Sequence, residues 1–432
     1  MGYRVTALSA REILDSRSRP TLEVTLELDS GIVGRAAVPS GASTGTKEAV
    51  ERRDGDPSRY GGAGVQSVVA TVDSEIAEHL VGRRWSSLAE VDEALCQLDG
   101  TPNKARLGAN AITGVSMAMA RAQANADQTE LYRWLTPDGV AARLPVPHFN
   151  VINGGLHAKN RLAFQEFMVA PFGASTFAEA LQAGAEVYAA LHDLLDRLGF
   201  STGLGDEGGF APAIEAPTDA LDFLVEAIET AGYPLGREGV AIALDPAASS
   251  FRDADGRYRI NGSVYDADEL VEYLESLVDR YPIWSIEDGV GEDDEKGWRL
   301  LTQRLGDRIQ IVGDDNLCTN PATISDAISE SIGNAALLKV NQVGTVTETL
   351  DAARRCREAG WGAMVSHRSG ETTDSFIADL AVAIGCGQIK SGAPARGERV
   401  AKYNRLLAIE SSSALSYGLP PHPIRWIPEA GR

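Results

Sequence analysis

Six short apolar runs in the second half of this chain each lead into an ionisable side chain. "VAIAL" runs into Asp245, "PIWSI" into Glu287, "IQIVG" into Asp314, "AALL" into Lys339, "GAMVS" into His367 and "CGQI" into Lys390. Successive end residues lie 23 to 42 positions apart, the length of one strand, one crossover helix and two loops. A strand leaves its last side chain at a mouth of its sheet, so parallel strands deliver all of these groups to the same end. Three carboxylates, two lysines and a histidine then converge. Like charges at that density are costly unless compensated. Three acids beside two lysines therefore point to a bound divalent metal and an anionic substrate.

This repeat of strand and helix signals extends over the last 300 or so of the 432 residues and predicts a closed α/β barrel. A doubly wound open sheet is the alternative, but no G-x-G-x-x-G turn follows an early strand to support it. The first third differs. Leu22, Val24, Leu26 and Leu28 alternate with Glu23, Thr25 and Glu27, and "DSG" at 29–31 turns the chain into a second run ending at Val38. With the run around Val5 this predicts a small antiparallel sheet. Ser87 and Glu90 read as a capping box, with Leu88, Val91, Leu95 and Leu98 on one face. "GANAITGVSMAMARAQANA" reads as a small-residue helix packed closely on a neighbour, and Thr218 as the N-cap of a helix ending near Gly232. The pattern breaks at "TPDGV" and "LPVP". The expected division is an α+β domain over residues 1–134 and a barrel domain over 135–432.

A net charge of −21 argues against broad binding to nucleic acid or to an anionic membrane, while a metal can still invert the field locally for a small anion. Cys96, Cys318, Cys356 and Cys386 have neither metal-type nor disulfide-scaffold spacing. The start "MGYRVTALSAREILD" has no signal-peptide pattern, and no apolar stretch approaches the roughly 20 residues needed to span a bilayer. A cytoplasmic protein is expected.

Asp245, Glu287 and Asp314 are hard oxygen ligands of the kind Mg²⁺ prefers. A dication and a second ammonium beside Lys339 or Lys390 would lower the lysine pKa toward that of a useful base. "SHRSGET" sets His367, Arg368 and Ser369 on one loop, an arrangement suited to gripping a phosphate. "VPSGASTG" at 38–45 is a glycine- and hydroxyl-rich loop able to offer a hydroxyl to metal or phosphate. Glu207 among the glycines of "GDEGGF" suits a proton donor, and His157, Gln165 and Glu166 are further polar groups expected in the cleft.

In order along the chain, "SGASTG", "LDGTPNK", "GANAI", "QEFM", "GDEGG", "SIEDG", "VGDD", "LLKVNQ" and "SHRSGET" resemble the enolase family, from "AREILDSR" to "GQIKSGAPARGERVAKYNRLLAIE". The resemblance implies an enolase-type modified (β/α)8 barrel carrying a smaller N-terminal α+β domain. It implies the glycolytic dehydration of 2-phosphoglycerate with a pair of Mg²⁺ ions per active site, the first held by Asp245, Glu287 and Asp314 and the second helped by Ser43. It implies Lys339 as the base at C2, and Glu207 supported by Glu166 as the acid at the C3 hydroxyl. His157, Gln165, His367, Arg368, Ser369 and Lys390 are the implied substrate shell. A homodimer or dimer-based oligomer is implied as well.

Several positions depart from the family pattern: Ser18 and Arg19 in "SRSRP", Lys159 and Arg161 after "HA", and Ala408 where an intersubunit arginine is common. Two extra cations near the phosphate end raise an alternative, a paralogue dehydrating a carboxyphosphono analogue in phosphonate biosynthesis, with Lys159 added to the substrate shell. Other superfamily reactions are disfavoured because "PVPHFNVINGG" has no lysine pair. A non-catalytic binding role is the remaining alternative, and no catalytic residue type has been lost in its favour.

Overall fold

The computed structural model describes residues 2–41 and 45–420. Strands β1 (Tyr3–Leu14), β2 (Pro20–Leu28), β3 (Val33–Ala37) and β4 (Arg84–Trp85) form an antiparallel sheet in the order β3-β2-β1-β4. Leu22, Val24, Leu26 and Leu28 face inward, as their alternation requires, and the helix Ala109–Ala126 lies across β2 and β3. Its alanines, glycine and serine let the backbones come close. A Cβ added to Gly34 would sit 2.0 Å from the Ala118 carbonyl oxygen.

Ser87 caps the helix Leu88–Asp99 by accepting the Glu90 amide, but the reciprocal half of the expected box is absent. The Glu90 carboxylate instead takes the amide and hydroxyl of Ser86, each at 2.6 Å. Thr218 is not an N-cap either. The helix Pro217–Thr230 starts two residues earlier than that cap would give, because Pro217 has no amide proton to lose and suits the first turn, leaving Ala216 as the cap.

The second unit is a barrel of β5 (Val146–Asn153), β6 (Glu166–Pro171), β7 (Val240–Asp245), β10 (Ile283–Glu287), β11 (Gln310–Gly313), β12 (Ala335–Leu338), β13 (Gly362–Ser366) and β14 (Gln388–Lys390), closed in the order β10-β11-β12-β13-β14-β5-β6-β7. A small hairpin, β8 (Tyr258–Ile260) and β9 (Ser263–Tyr265), stands outside it. Every residue of β5, β6, β7, β10, β11, β12, β13 and β14 is buried, which is why these strands read as continuous apolar runs.

Strict βα alternation does not hold at the start. β6 runs antiparallel to both β5 and β7, so the barrel begins strand–strand–helix–helix, with helices Phe177–Arg197 and Pro217–Thr230 between β6 and β7. The loop between those helices is hydrogen-bonded to the end of β5: Asn153 donates its amide to the Phe210 carbonyl (2.8 Å) and Phe210 donates to that of Val151 (2.9 Å). No helix among the described residues is long and apolar enough to cross a membrane.

The first domain is fastened to the barrel mouth. Ser40 and Gly370 exchange backbone hydrogen bonds of 2.8 and 2.9 Å, and Ser16 donates its amide to the Glu371 carbonyl at 2.7 Å. The Asp15 carboxylate accepts the Arg17 and Arg19 amides and, at 2.7 Å, the Ser40 hydroxyl. Ser18, where the resembled family has glycine, sits in this turn at φ +58°, a left-handed conformation that a side chain penalises.

Two tests follow from these contacts. Gly34→Ala should destabilise the protein by about 1–3 kcal/mol through overpacking, read as a lowered Tm; an unchanged Tm would contradict the close helix–sheet approach. The second concerns His148 on β5, which lies wholly buried between the Val146 carbonyl at Nδ1 (3.2 Å) and the Trp284 Nε1–H at Nε2 (3.2 Å). Burial lowers its pKa to about 3, below the roughly 6.5 of an unfolded chain. Its contribution to stability is therefore intact above pH ~6.5 and is lost as pH falls toward 3, at about 1.4 kcal/mol per pH unit. His148→Gln should flatten the fall of Tm between pH 6.5 and 5, measured by calorimetry; parallel curves for the two proteins would refute this.

Candidate active site

The strands bring the six ionisable ends together. Asp245, Glu287 and Lys390 are the last residues of β7, β10 and β14, and Asp314, Lys339 and His367 directly follow β11, β12 and β13. Glu166 arrives by the reverse route. It is the first residue of β6, and because that strand is inverted its start lies at the same mouth. Glu207 comes from the helix–helix loop.

His157, Gln165, Glu166, Glu207, Asp245, Asp314, Lys339, His367, Arg368, Ser369 and Lys390 line a single cavity, and all but the partly buried Lys339 are buried. Glu287 joins it through Lys390. Ser43 lies outside the described residues. Lys159 does not line the cavity. The Asn160 amide holds this loop to the carbonyls of Asn153 (2.9 Å) and Pro212 (3.1 Å), which leaves Lys159 exposed. Arg161 is exposed as well and pairs with Glu215 at 2.7 Å. The two added cations thus fall away from the position expected for a second anionic group.

At the centre, Lys390 Nζ lies 3.0 Å from Glu166, 3.1 Å from Asp245 and 3.0 Å from Glu287. Burial opposes its charge, but the carboxylates, Asp245 foremost, outweigh burial and hold the ammonium well above the usual lysine range. Lys339 Nζ meets Asp314 Oδ2 at 2.5 Å. Among the protein's own groups, burial and Asp314 act on the Lys339 pKa in opposite directions. Burial does lower it, yet the Asp314 carboxylate more than compensates and raises it.

The carboxylates exceed what two lysines neutralise. Burial, then Asp245, pushes Glu287 well up, while burial and Asp314 push Asp315 up to about 7. Asp288, Asp314 and Asp315 place ligand oxygens all within 4.8 Å of one another, and His157, Glu166 and Glu207 form a second such set. The trio Asp245, Glu287 and Asp314 is bridged by lysines rather than closed on itself. An all-oxygen donor set with surplus negative charge is nevertheless the chemistry that a hard divalent cation satisfies.

Glu166 and Glu207 titrate as a pair. Burial and the neighbouring Glu207 drive Glu166 well above the carboxylate range. Burial also works against an ionised Glu207, but His367 and His157 offset it and hold that pKa well down. These surroundings favour the protonated form at Glu166 and the ionised form at Glu207. His157 Nδ1 stands 3.7 Å from Glu207 and 3.9 Å from Glu166, and together with Gln165 Oε1 and Glu166 Oε2 it is buried without a hydrogen-bond partner. Buried polar atoms are rarely left so. Their position on one wall marks where a polar ligand would sit.

Arg368 is held by Glu48 through bonds of 3.0 and 3.1 Å and by Asn341 at 3.0 Å. Its grip on an anion must be shared with that carboxylate.

Sequence reasoning gave no role to several supporting residues. Gln342 donates to Asp314 Oδ1 (2.8 Å), Asn150 to Glu207 Oε2 (3.0 Å), and Asp288 accepts the amides of Asp314 (2.9 Å) and Asp315 (3.0 Å). Asp288 itself has φ +43°, one of several left-handed non-glycine residues in the loops at this mouth, with Ala247, Cys318 and Thr319. Only the adjacency of Gln342 to "LLKVN" and of Asp288 to "SIE" hinted at them.

The comparisons with known proteins agree along nearly the whole chain. The family profile "Enolase, N-terminal domain" matches residues 5–135 and "Enolase, C-terminal TIM barrel domain" matches 141–417. A protein named Enolase from Acidothermus cellulolyticus is 55% identical over 406 residues, 94% of this chain and 94% of its own. Enolases of Methanopyrus kandleri and Rubrobacter xylanophilus are each 54% identical, over 95% and 94% of this chain and 96% and 95% of theirs. Profiles that match both the small sheet domain and the barrel, and relatives alike from end to end, leave one conclusion: the chain belongs to the enolase family of lyases.

Proposed function

We propose that this protein catalyses the reversible dehydration of 2-phosphoglycerate to phosphoenolpyruvate with a pair of Mg²⁺ ions. The supporting observation is the placement of base and acid. Lys339 follows β12 and Glu166 begins β6, four places apart in a closed ring of eight strands. A lysine and a carboxyl group thus approach the cavity from opposite sides, as removal of a C2 proton and departure of a C3 hydroxyl require.

Asp245, Glu287 and Asp314 would hold the first metal, with Ser43 contributing to the second. Such a metal would supply positive charge beside the substrate carboxylate, and Asp314, as one of its ligands, would no longer be the partner that keeps Lys339 protonated. Lys339 Nζ takes the C2 proton, and the pair of electrons it leaves forms the C2–C3 double bond. Hydroxide departs from C3 with the proton of the Glu166–Glu207 pair and is released as water. Lys390 stays charged throughout and faces the carboxylate dianion that develops, so it stabilises the transition state more than the ground state. Gln165, His157, Arg368 and Ser369 orient the remaining oxygens. The same reading takes residues 1–134 and 135–432 as the two domains of a cytoplasmic homodimer.

Adding 2-phosphoglycerate and Mg²⁺ should produce the rising absorbance of the enol product. Lys339→Ala should lower kcat by about 10²–10⁴-fold while the circular dichroism spectrum is kept. A chelator should abolish turnover and Mg²⁺ restore it. No absorbance change in the wild type, or a Lys339→Ala variant within tenfold of it, would remove this reading.

A further inference from the structure

Arg399 is wholly buried on the helix Gly397–Ser411 and does not line the cavity, yet it is bonded to both loops that carry the acid end of the site. Its Nη1 meets His367 Nδ1 and donates to the Arg368 carbonyl at 2.7 Å. Its Nη2 donates to the carbonyls of Ser369 (2.7 Å) and Asp206 (3.1 Å), the latter next to Glu207. Gly392 makes the passage possible: at φ +77°, a Cβ there would lie 2.9 Å from Arg399 Cδ and 2.6 Å from the Glu207 carbonyl oxygen.

A guanidinium has only donors and stays protonated in a protein. The nitrogen facing it must therefore accept. We propose that Arg399 is a positioning residue that fixes His367 as the neutral tautomer protonated at Nε2, the nitrogen that lies 3.2 Å from Glu207 Oε2 and has no hydrogen-bond partner in this structure. In this tautomer His367 offers a donor to an ionised Glu207, and with Asn150 Nδ2 on the same oxygen it keeps the shared proton on the Glu166 side of the pair. The opposite tautomer would bring an N–H against Arg399 and a lone pair against Glu207, leaving both faces of the ring repelled. The imidazolium would likewise place a proton against a guanidinium. The charged groups facing the ring are Glu207 from its loop, Arg399 from the C-terminal helix and Lys390 from β14. Burial, the largest influence, lowers the ring pKa to about 3, in keeping with a neutral imidazole.

This proposal deepens the functional reading above for the acid end, but its primary test needs no substrate. With ¹⁵N-labelled histidine, the His367 signals can be assigned by their loss in His367→Gln among the six histidines of the chain. The expected spectrum has an unprotonated, pyridine-type Nδ1 and a protonated Nε2 throughout pH 5–9. A protonated Nδ1 in the wild type overturns the proposal, whatever the activity assays show. Arg399→Met should yield mixed tautomers and lower kcat by about 10–100-fold. Arg399→Lys, which keeps one donor for Nδ1, should restore the single tautomer and part of the rate. An Arg399→Met protein that folds and keeps the wild-type tautomer also refutes it; if Arg399→Met does not fold, the wild-type and Arg399→Lys spectra still decide.

Discussion

One ammonium shared among three buried carboxylates holds the barrel mouth together. Lys390 meets Glu166, Asp245 and Glu287, which arrive on β6, β7 and β10, while the lysine itself comes from β14. Charges this deep are tolerated only when paired and hydrogen-bonded, and removal of one partner leaves the others costly. The lysine thereby fixes the relative positions of strands that are not all neighbours. Lys339 and Asp314 repeat the arrangement with a single pair. The local surplus of carboxylate that remains is chemistry suited to a cation, in a protein whose overall charge would repel an anionic substrate.

Much of this could be read from the order of residues. Apolar runs ending in Asp245, Glu287 and Lys390 became strands buried on every residue, because a parallel barrel leaves no polar face to interrupt the run. The small-residue helix and the hairpin turning at residues 29–31 followed from spacing in the same way. What spacing could not carry was direction. Nothing in "QEFMVAP" distinguishes a strand running down the barrel from one running up; the family resemblance implied a modified barrel, and the inversion of β6 came from the structure. Charge states were also out of reach. The rise in the Lys339 pKa depends on a 2.5 Å contact with Asp314, and the lowering of the Glu207 pKa depends on two histidines that face it. Lys159 shows the opposite limit. Its nearness in sequence to His157 suggested a cleft residue, whereas the bonds of Asn160 turn it outward.

The N-terminal domain contributes to the site chiefly by bracing it. The paired backbones of Ser40 and Gly370 and the Asp15 carboxylate tie the turn at residues 15–19 to the loop bearing Arg368 and Ser369. Glu48 then completes the Arg368 ion pair from the same domain. These polar contacts join the two units beside the cavity, while one continuous apolar core runs through both.

The inversion of β6 has a consequence for how the chemistry is divided. A regular eightfold βα barrel has one connector per strand at its upper rim. Here the first quarter of the barrel supplies a hairpin loop and a helix–helix loop instead, and these carry His157, Gln165 and Glu166 on the one and Glu207 on the other. In the proposed reaction, proton donation would come from the irregular connectors, while cation binding and proton abstraction would stay on the regular units. Lengthening either connector would retune leaving-group departure with the opposite half of the rim undisturbed.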